Sequence, residues 1–126
     1  MEKNIFEKIR DKESDADIVF KNEYVTAFKD IYPCAPIHIL IIPNKMIRSL
    51  NDVEKDDAIY LANILISAKE IAEKFNIDKS GYRLITNCGK DGGQEVQYLH
   101  FHLVGGVSLG RMIGLPKNSQ KIFKEF

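Results

Sequence analysis

The chain has no tryptophan, only two cysteines and four prolines in 126 residues, and no surplus of charge: 18 Lys plus Arg stand against 18 Asp plus Glu. Each scarcity excludes something. Balanced charge without a basic stretch offers no footprint for nucleic acid, so no nucleic-acid partner is expected. No apolar run approaches the roughly 18–20 residues that span a bilayer, so no membrane partner is expected either. Cys34 and Cys88 form no C-x-x-C pair. They could close one disulfide, but a chain without a secretory signal reads more simply as cytoplasmic, with free thiols. Repeats and low-complexity linkers are also missing. Hydrophobic residues make up 44%, enough for one domain with a real core across residues 1–126.

What is present is an α+β alternation. Residues 4–10 set Ile5, Phe6 and Ile9 at the spacing of a short amphipathic helix. Residues 18–21 and 24–29 read as strands joined by the turn-prone Asn22-Glu23. Beyond Pro33 and Pro36, residues 37–42 form a β-branched strand that stops at Pro43. Ser49 or Asn51 is a candidate cap for a long helix expected over residues 54–75. Apolar side chains cover roughly two-thirds of its wheel, more than one sheet face needs. The excess suggests a second buried contact, most simply the same helix of a twin subunit, the alternative being a well-covered core helix. A strand over 82–87, a glycine-rich loop at 89–93 and a strand over 98–104 follow. The tail from Val107 lacks periodicity and is expected to pack on the surface or across a partner.

All three histidines, His38, His100 and His102, fall inside apolar strand-like runs. Strand alternation puts His100 and His102 on one side and Phe101 and Leu103 on the other. Three readings remain open on spacing alone. The pair are ordinary residues of a half-exposed strand. Alternatively, with His38 nearby, three imidazoles hold zinc, Glu95 being the only acid close in sequence. In the third reading, one imidazole attacks phosphorus while its other N–H is held by an acceptor, and the second donates to a phosphoryl oxygen or leaving group. Backbone N–H groups around Gly92 and Gly93 would then stabilise the developing charge.

The run Gly92-Gly-Gln-Glu-Val-Gln-Tyr-Leu-His-Phe-His-Leu-Val-Gly-Gly106 resembles the signature of the histidine triad (HIT) superfamily. Asp30-Ile-Tyr-Pro-Cys-Ala-Pro-Ile-His-Ile-Leu-Ile-Ile-Pro43 is similar to a second block of that family, and Gly81-Tyr-Arg-Leu-Ile-Thr-Asn87 and Ile5-Phe-Glu-Lys-Ile9 also fit. Together the blocks cover most of residues 4–106, and the branch they look like is the Hint nucleotide-phosphoramidase group. The resemblance implies an antiparallel five-stranded sheet with one long and one short helix, paired into a homodimer. It implies hydrolysis or transfer at the α-phosphate of purine nucleoside 5′-phosphoramidates or related adenylated compounds, with an AMP or GMP moiety bound and no cofactor. His100 falls on the nucleophile that forms a nucleotidyl-histidine, His102 on the histidine contacting phosphate or leaving group, and His38 on the supporting histidine. Asn87, Gly93 and Gln94 match the phosphate and leaving-group side, and Asp30 the acid that binds the ribose hydroxyls. Phe6, Ile9, Phe28 and Ile31 match the apolar slot for the base. The alternatives within the resemblance are a dinucleoside polyphosphate hydrolase and a catalytically weak nucleotide-binding dimer acting through partners.

The chain departs from the family in three places, and beyond Gly106 its tail does not match the Hint ending. Tyr98 replaces the first triad histidine; it is expected to face the His100 side and either hydrogen-bond His38 or simply fill space. Many bacterial relatives bind a structural zinc at four places that here read Asn4, Glu7, Met46 and Tyr98, so zinc is expected to be lost as a unit and no metal is expected at the histidines. Glu95 is expected either to contact the leaving amine or its proton, or to be an exposed charge.

Overall fold

Alternating strands need two different partners, one for each face, and the sheet meets that need. A computed structural model describes residues 2–113. Five strands, β1 (Ile18–Lys21), β2 (Val25–Lys29), β3 (Ile37–Pro43), β4 (Tyr82–Thr86) and β5 (Phe101–Gly105), form one sheet in the order β1-β2-β3-β5-β4. Every neighbouring pair is antiparallel. Two helices complete the fold, α1 (Ile5–Arg10) and α2 (Ala58–Lys74). The five-stranded α+β architecture expected from the sequence is the one observed.

The register fixes which side chains share a face. Leu40 lies opposite His102, and His38 opposite Val104. One face carries Val25, Ala27, Ile39, Ile41 and Leu103, buried against Ile64, Ala68 and Ile71 of α2. The opposite face carries Phe28, Leu40 and Ile42, packed with Phe6 and Ile9 of α1 and with Tyr98. Burial of this kind stabilises by ~25 cal/mol per Å² of apolar surface, so both helices are held chiefly by their apolar faces. The histidines therefore sit on the α1 face, beside a small core of their own.

Two boundaries differ by more than one residue from the sequence expectation. Residues 54–57 are not part of the long helix: the chain makes two 3-10 turns, Leu50–Asp52 and Lys55–Asp57, before α2 begins. Ser49 caps the first turn, accepting from the Asn51 amide at 3.2 Å, while the buried Asp57 carboxylate takes the Glu54 amide at 2.9 Å and pairs with Lys45. Local side chains thus bind the backbone that a continuous helix would use. The His-x-His strand starts at Phe101 rather than 98, because the Leu99 amide bonds the Ile47 carbonyl and the Thr86 hydroxyl takes the His100 carbonyl at 2.8 Å. The 107–113 segment passes beside β4, where the Arg83 guanidinium donates to the carbonyls of Gly110 and Arg111. Residues 114–126 of the expected tail lie outside the described residues.

Both cysteines are free, Cys34 exposed and Cys88 half-buried. Among the described residues no helix is long and apolar enough to cross a membrane.

Candidate active site

His100 stands at the head of β5 with its ring against Phe6, centroids 4.9 Å apart, and 5.1 Å from the His102 ring. Its Nδ1 lies 2.7 Å from the Tyr98 carbonyl oxygen. A carbonyl only accepts, so Nδ1 carries the proton and the Nε2 lone pair is left free. Burial lowers the His100 pKa, the dominant cause, against a smaller raising effect of that same hydrogen bond. The ring is thus neutral at pH 7, as a nucleophile must be.

A second chain of contacts fixes the other two rings. The Cys34 amide donates to His38 Nδ1 at 3.1 Å, so neutral His38 carries its proton on Nε2. That Nε2 lies 2.9 Å from His102 Nδ1 and 3.5 Å from the Asp30 carboxylate. His102 Nδ1 is then an acceptor, and its proton sits on Nε2. Burial, with the neighbouring His100 and His38, pushes the His102 pKa down to about 4, so it too is neutral. The Cys34 N–H thereby sets the tautomers of His38 and His102, leaving an N–H donor on His102 beside the lone pair that the Tyr98 carbonyl leaves free on His100.

These groups open on a cleft of about 600 Å³, within the usual range for small-molecule sites. Its lining includes His38, His100, His102, Asp30, Asn87, Gly93 and Glu95 at the polar end, and Phe6, Ile9, Phe28 and Ile31 as apolar walls. Asp30 holds the Tyr32 amide through one oxygen at 2.8 Å and turns the other towards His38. Asn87 spends one amide hydrogen on the Gly92 carbonyl at 2.7 Å. Sequence reasoning passed over Ser14, Asp15, Lys29 and Tyr32, which also line the cleft. The stretch around Ser14 has no periodicity or motif that would have placed it there.

Three expectations need correction. Gln94 does not face the cleft: it is buried, donates to the carbonyls of Arg48 (2.7 Å) and Val96 (3.0 Å), and accepts the Gly89 amide at 3.0 Å. It holds the glycine loop in place. Within that loop the amides of Gly89, Gly93 and Gln94 are all bonded, so the Gly93 amide is not free to meet a phosphate. Gly92 is required there for close approach: a Cβ would fall 2.3 Å from the Cys88 carbonyl oxygen. Tyr98 does not bond His38. Its fully buried phenol donates to the Pro43 carbonyl and receives from Arg10 at 3.4 Å. Burial raises its pKa to about 12. The residue faces the His100 side, as expected, but acts on His100 through its backbone carbonyl.

Asn4, Glu7, Met46 and Tyr98 do not make a zinc site. Asn4 and Glu7 form the reciprocal cap of α1 at 2.9 and 3.1 Å, Met46 packs into the apolar cluster, and the Tyr98 hydroxyl is engaged. Among the described residues, one set of potential ligand atoms, from Asp30, His38 and His102, lies within 4.8 Å of one another. His100 is not in it, contrary to the three-histidine set. Tetrahedral zinc at ~2.0–2.1 Å from each nitrogen would hold two imidazole nitrogens roughly 3.4 Å apart. The His38–His102 separation of 2.9 Å is instead that of a shared proton.

A family model described as the HIT domain matches residues 11–109. The chain belongs to the HIT family. Among its relatives it is similar to the purine nucleoside phosphoramidase of Escherichia coli, 48% identical over 112 residues, which cover 89% of this chain and 94% of that protein. Among solved structures it is similar to a HIT family hydrolase from Legionella pneumophila, with 46% identity, a TM-score of 0.80 and coverage of 89% and 96% of the two chains. A HIT family hydrolase from Clostridium thermocellum shares 43% identity and a TM-score of 0.86, with coverage of 90% and 99%.

Proposed function

We propose that this HIT protein hydrolyses purine nucleoside 5′-phosphoramidates, or related adenylated compounds, through a nucleotidyl intermediate on His100. The observation that carries the reading is the Tyr98 carbonyl at 2.7 Å from His100 Nδ1, which leaves Nε2 as a free lone pair facing the cleft. Nε2 attacks the α-phosphorus and the bond from phosphorus to the leaving nitrogen breaks. Positive charge grows on the imidazole, where the Tyr98 carbonyl offsets it. His102 Nε2–H donates to a phosphoryl oxygen. The leaving amine takes up one proton, for which Glu95 is the relay. Water then attacks phosphorus and gives up a proton to solvent by the same relay, the bond to His100 breaks, and the nucleoside monophosphate departs. Asp30 accepts from the ribose hydroxyls, and Phe6, Ile9, Phe28 and Ile31 enclose the base. The similarity to a purine nucleoside phosphoramidase supports this substrate class.

The protein acts as a homodimer in this reading. β4 is an outer strand of the sheet, with Tyr82 and Ile85 partly exposed, and α2 leaves Ile59, Leu65 and Ile66 uncovered on its outer side. An open strand edge beside an apolar helix stripe is suited to a two-fold contact with a second copy. Sedimentation at micromolar concentration is expected to give twice the chain mass; a monomer there would remove this part of the reading.

The test is hydrolysis of adenosine 5′-phosphoramidate by wild type and His100→Ala, both with chelator present. Chelator-resistant turnover that falls by roughly 10³-fold or more in the variant is expected. Absence of wild-type turnover, with AMP still bound, would leave a nucleotide-binding protein instead.

A further inference from the structure

The cleft runs across the sheet rather than along it. His102 lies on β5 and His38 on β3, Asp30 follows β2, and Phe28 lies on β2. Neighbouring strands are ~4.8 Å apart, so each step from β5 through β3 to β2 carries a ligand one spacing further from His100 and His102. A nucleotide with its phosphorus at His100 and its ribose at Asp30 therefore brings the far edge of its base to the β1–β2 side. The wall there is the segment from Ser14 to Ala16.

That segment is tied at both ends. The Lys12 and Glu13 amides bond the carbonyls of Ile9 and Lys8 at 3.1 and 2.7 Å, and the Lys29 amide bonds the Asp17 carbonyl at 3.0 Å. Its neighbouring acids are already paired: Lys3 holds Asp11 and Glu13 at 2.7 Å each, and Lys29 holds Asp17 at 3.4 Å. The Lys29 ammonium also lies over Phe75, drawn away from the base end. Asp15 has no ion pair among the described residues, and it lines the cleft beside half-buried Ser14. The slot walled by Phe6, Ile9, Phe28 and Ile31 thus ends at Ser14 and one carboxylate without an ion pair among the described residues.

The two purines present opposite patterns to a carboxylate. Guanine offers N1–H and the N2 amine side by side, two donors for two oxygens, a bidentate match. Adenine offers one amine beside the N1 lone pair, which a carboxylate repels. We propose that Asp15 reads the base edge and gives this protein a preference for guanine over adenine nucleotides. This rests on reading the cleft as a nucleotide site.

Calorimetric titration with GMP and with AMP tests it, for wild type and for Asp15→Ala, an exposed position where truncation spares the core. GMP is expected to bind about tenfold more tightly than AMP, one charge-assisted contact at a solvent-facing edge, and the ratio is expected to collapse towards one in Asp15→Ala. Equal affinities in wild type, or an unchanged ratio in the variant, would overturn the proposal while leaving the nucleotide site standing. Failure of wild type to bind either nucleotide would overturn both.

Discussion

The two sides of His100 differ in what their polar groups are free to do. On one side, Tyr98 gives its hydroxyl to Pro43, receives Arg10, and offers its carbonyl to His100. The phenol is fully buried and its pKa is raised to about 12, so no proton leaves it at neutral pH. On the other side, Asp30, His38 and His102 form a chain of contacts at 3.5 and 2.9 Å that opens on the cleft. Neutral imidazoles carry both a donor and an acceptor, so this side can pass protons and meet a phosphate. The first side sets where His100 points, and in the proposed reaction the second supplies the proton and phosphate contacts. On that reading, the tyrosine that the family resemblance sets in place of one imidazole falls on the side that only positions.

The sharpest way to break the comparison is His102→Ala. Removing an N–H donor from the reacting phosphate is expected to cost roughly 10²–10³-fold in kcat/KM for a nucleoside phosphoramidate, measured by steady-state hydrolysis. A loss under threefold would strip the second side of its assigned role. A smaller effect comes from pH. His100 and His102 have pKa values lowered in the fold, His102 to about 4, whereas unfolded histidine titrates near 6.5. Protonation is then disfavoured in the folded state, so these groups contribute stability that is full above pH ~6.5 and is lost as pH falls towards the folded values. The pH profile of kcat/KM is expected to stay flat through pH 6.5 on its acid limb and fall only below it. The unfolding midpoint is expected to drop between pH 7 and pH 5. An acid limb centred at 6.5 or higher would contradict the buried, neutral nucleophile.

How much of this was legible in the sequence follows from the range of the forces involved. Period-2 alternation in the His-x-His run is local, so the shared side of His100 and His102 and the opposite side of Leu103 were readable from spacing, whereas bringing His38 beside them takes the pairing of β3 with β5. The apolar excess of α2 was readable for the same reason, and Ile59, Leu65 and Ile66 are indeed left uncovered. Gln94 was misplaced because its partners, the carbonyls of Arg48 and Val96 and the amide of Gly89, are backbone atoms with no sequence signature. The same holds for the Cys34 amide that fixes the His38 tautomer. Asp57 broke the expected long helix by binding the Glu54 amide, a competition that hydrophobic period does not register. Ser14 and Asp15 reached the cleft through the turn after α1, where no periodic pattern exists.

Tyr98→Phe gives the smallest expected change in rate and the finest test of the comparison. It keeps the ring against Phe6 and keeps the backbone carbonyl that bonds His100. It removes only the hydroxyl, leaving the buried Pro43 carbonyl without that donor and Arg10 with only Asn44 and Asp11 as acceptors. An unsatisfied buried polar group costs ~1–3 kcal/mol, so the unfolding free energy is expected to fall by about that amount in a denaturant titration. The rate has no reason to follow, because the phenol touches no cleft-facing atom of His38 or His102. A change in kcat/KM within about threefold is therefore expected, well below the 10²-fold that loss of a proton-transfer or phosphate-binding group costs. The opposite pattern, unchanged stability with a hundredfold loss of kcat, would place the phenol among the reacting groups. It would also mean that the two sides of His100 share the chemistry.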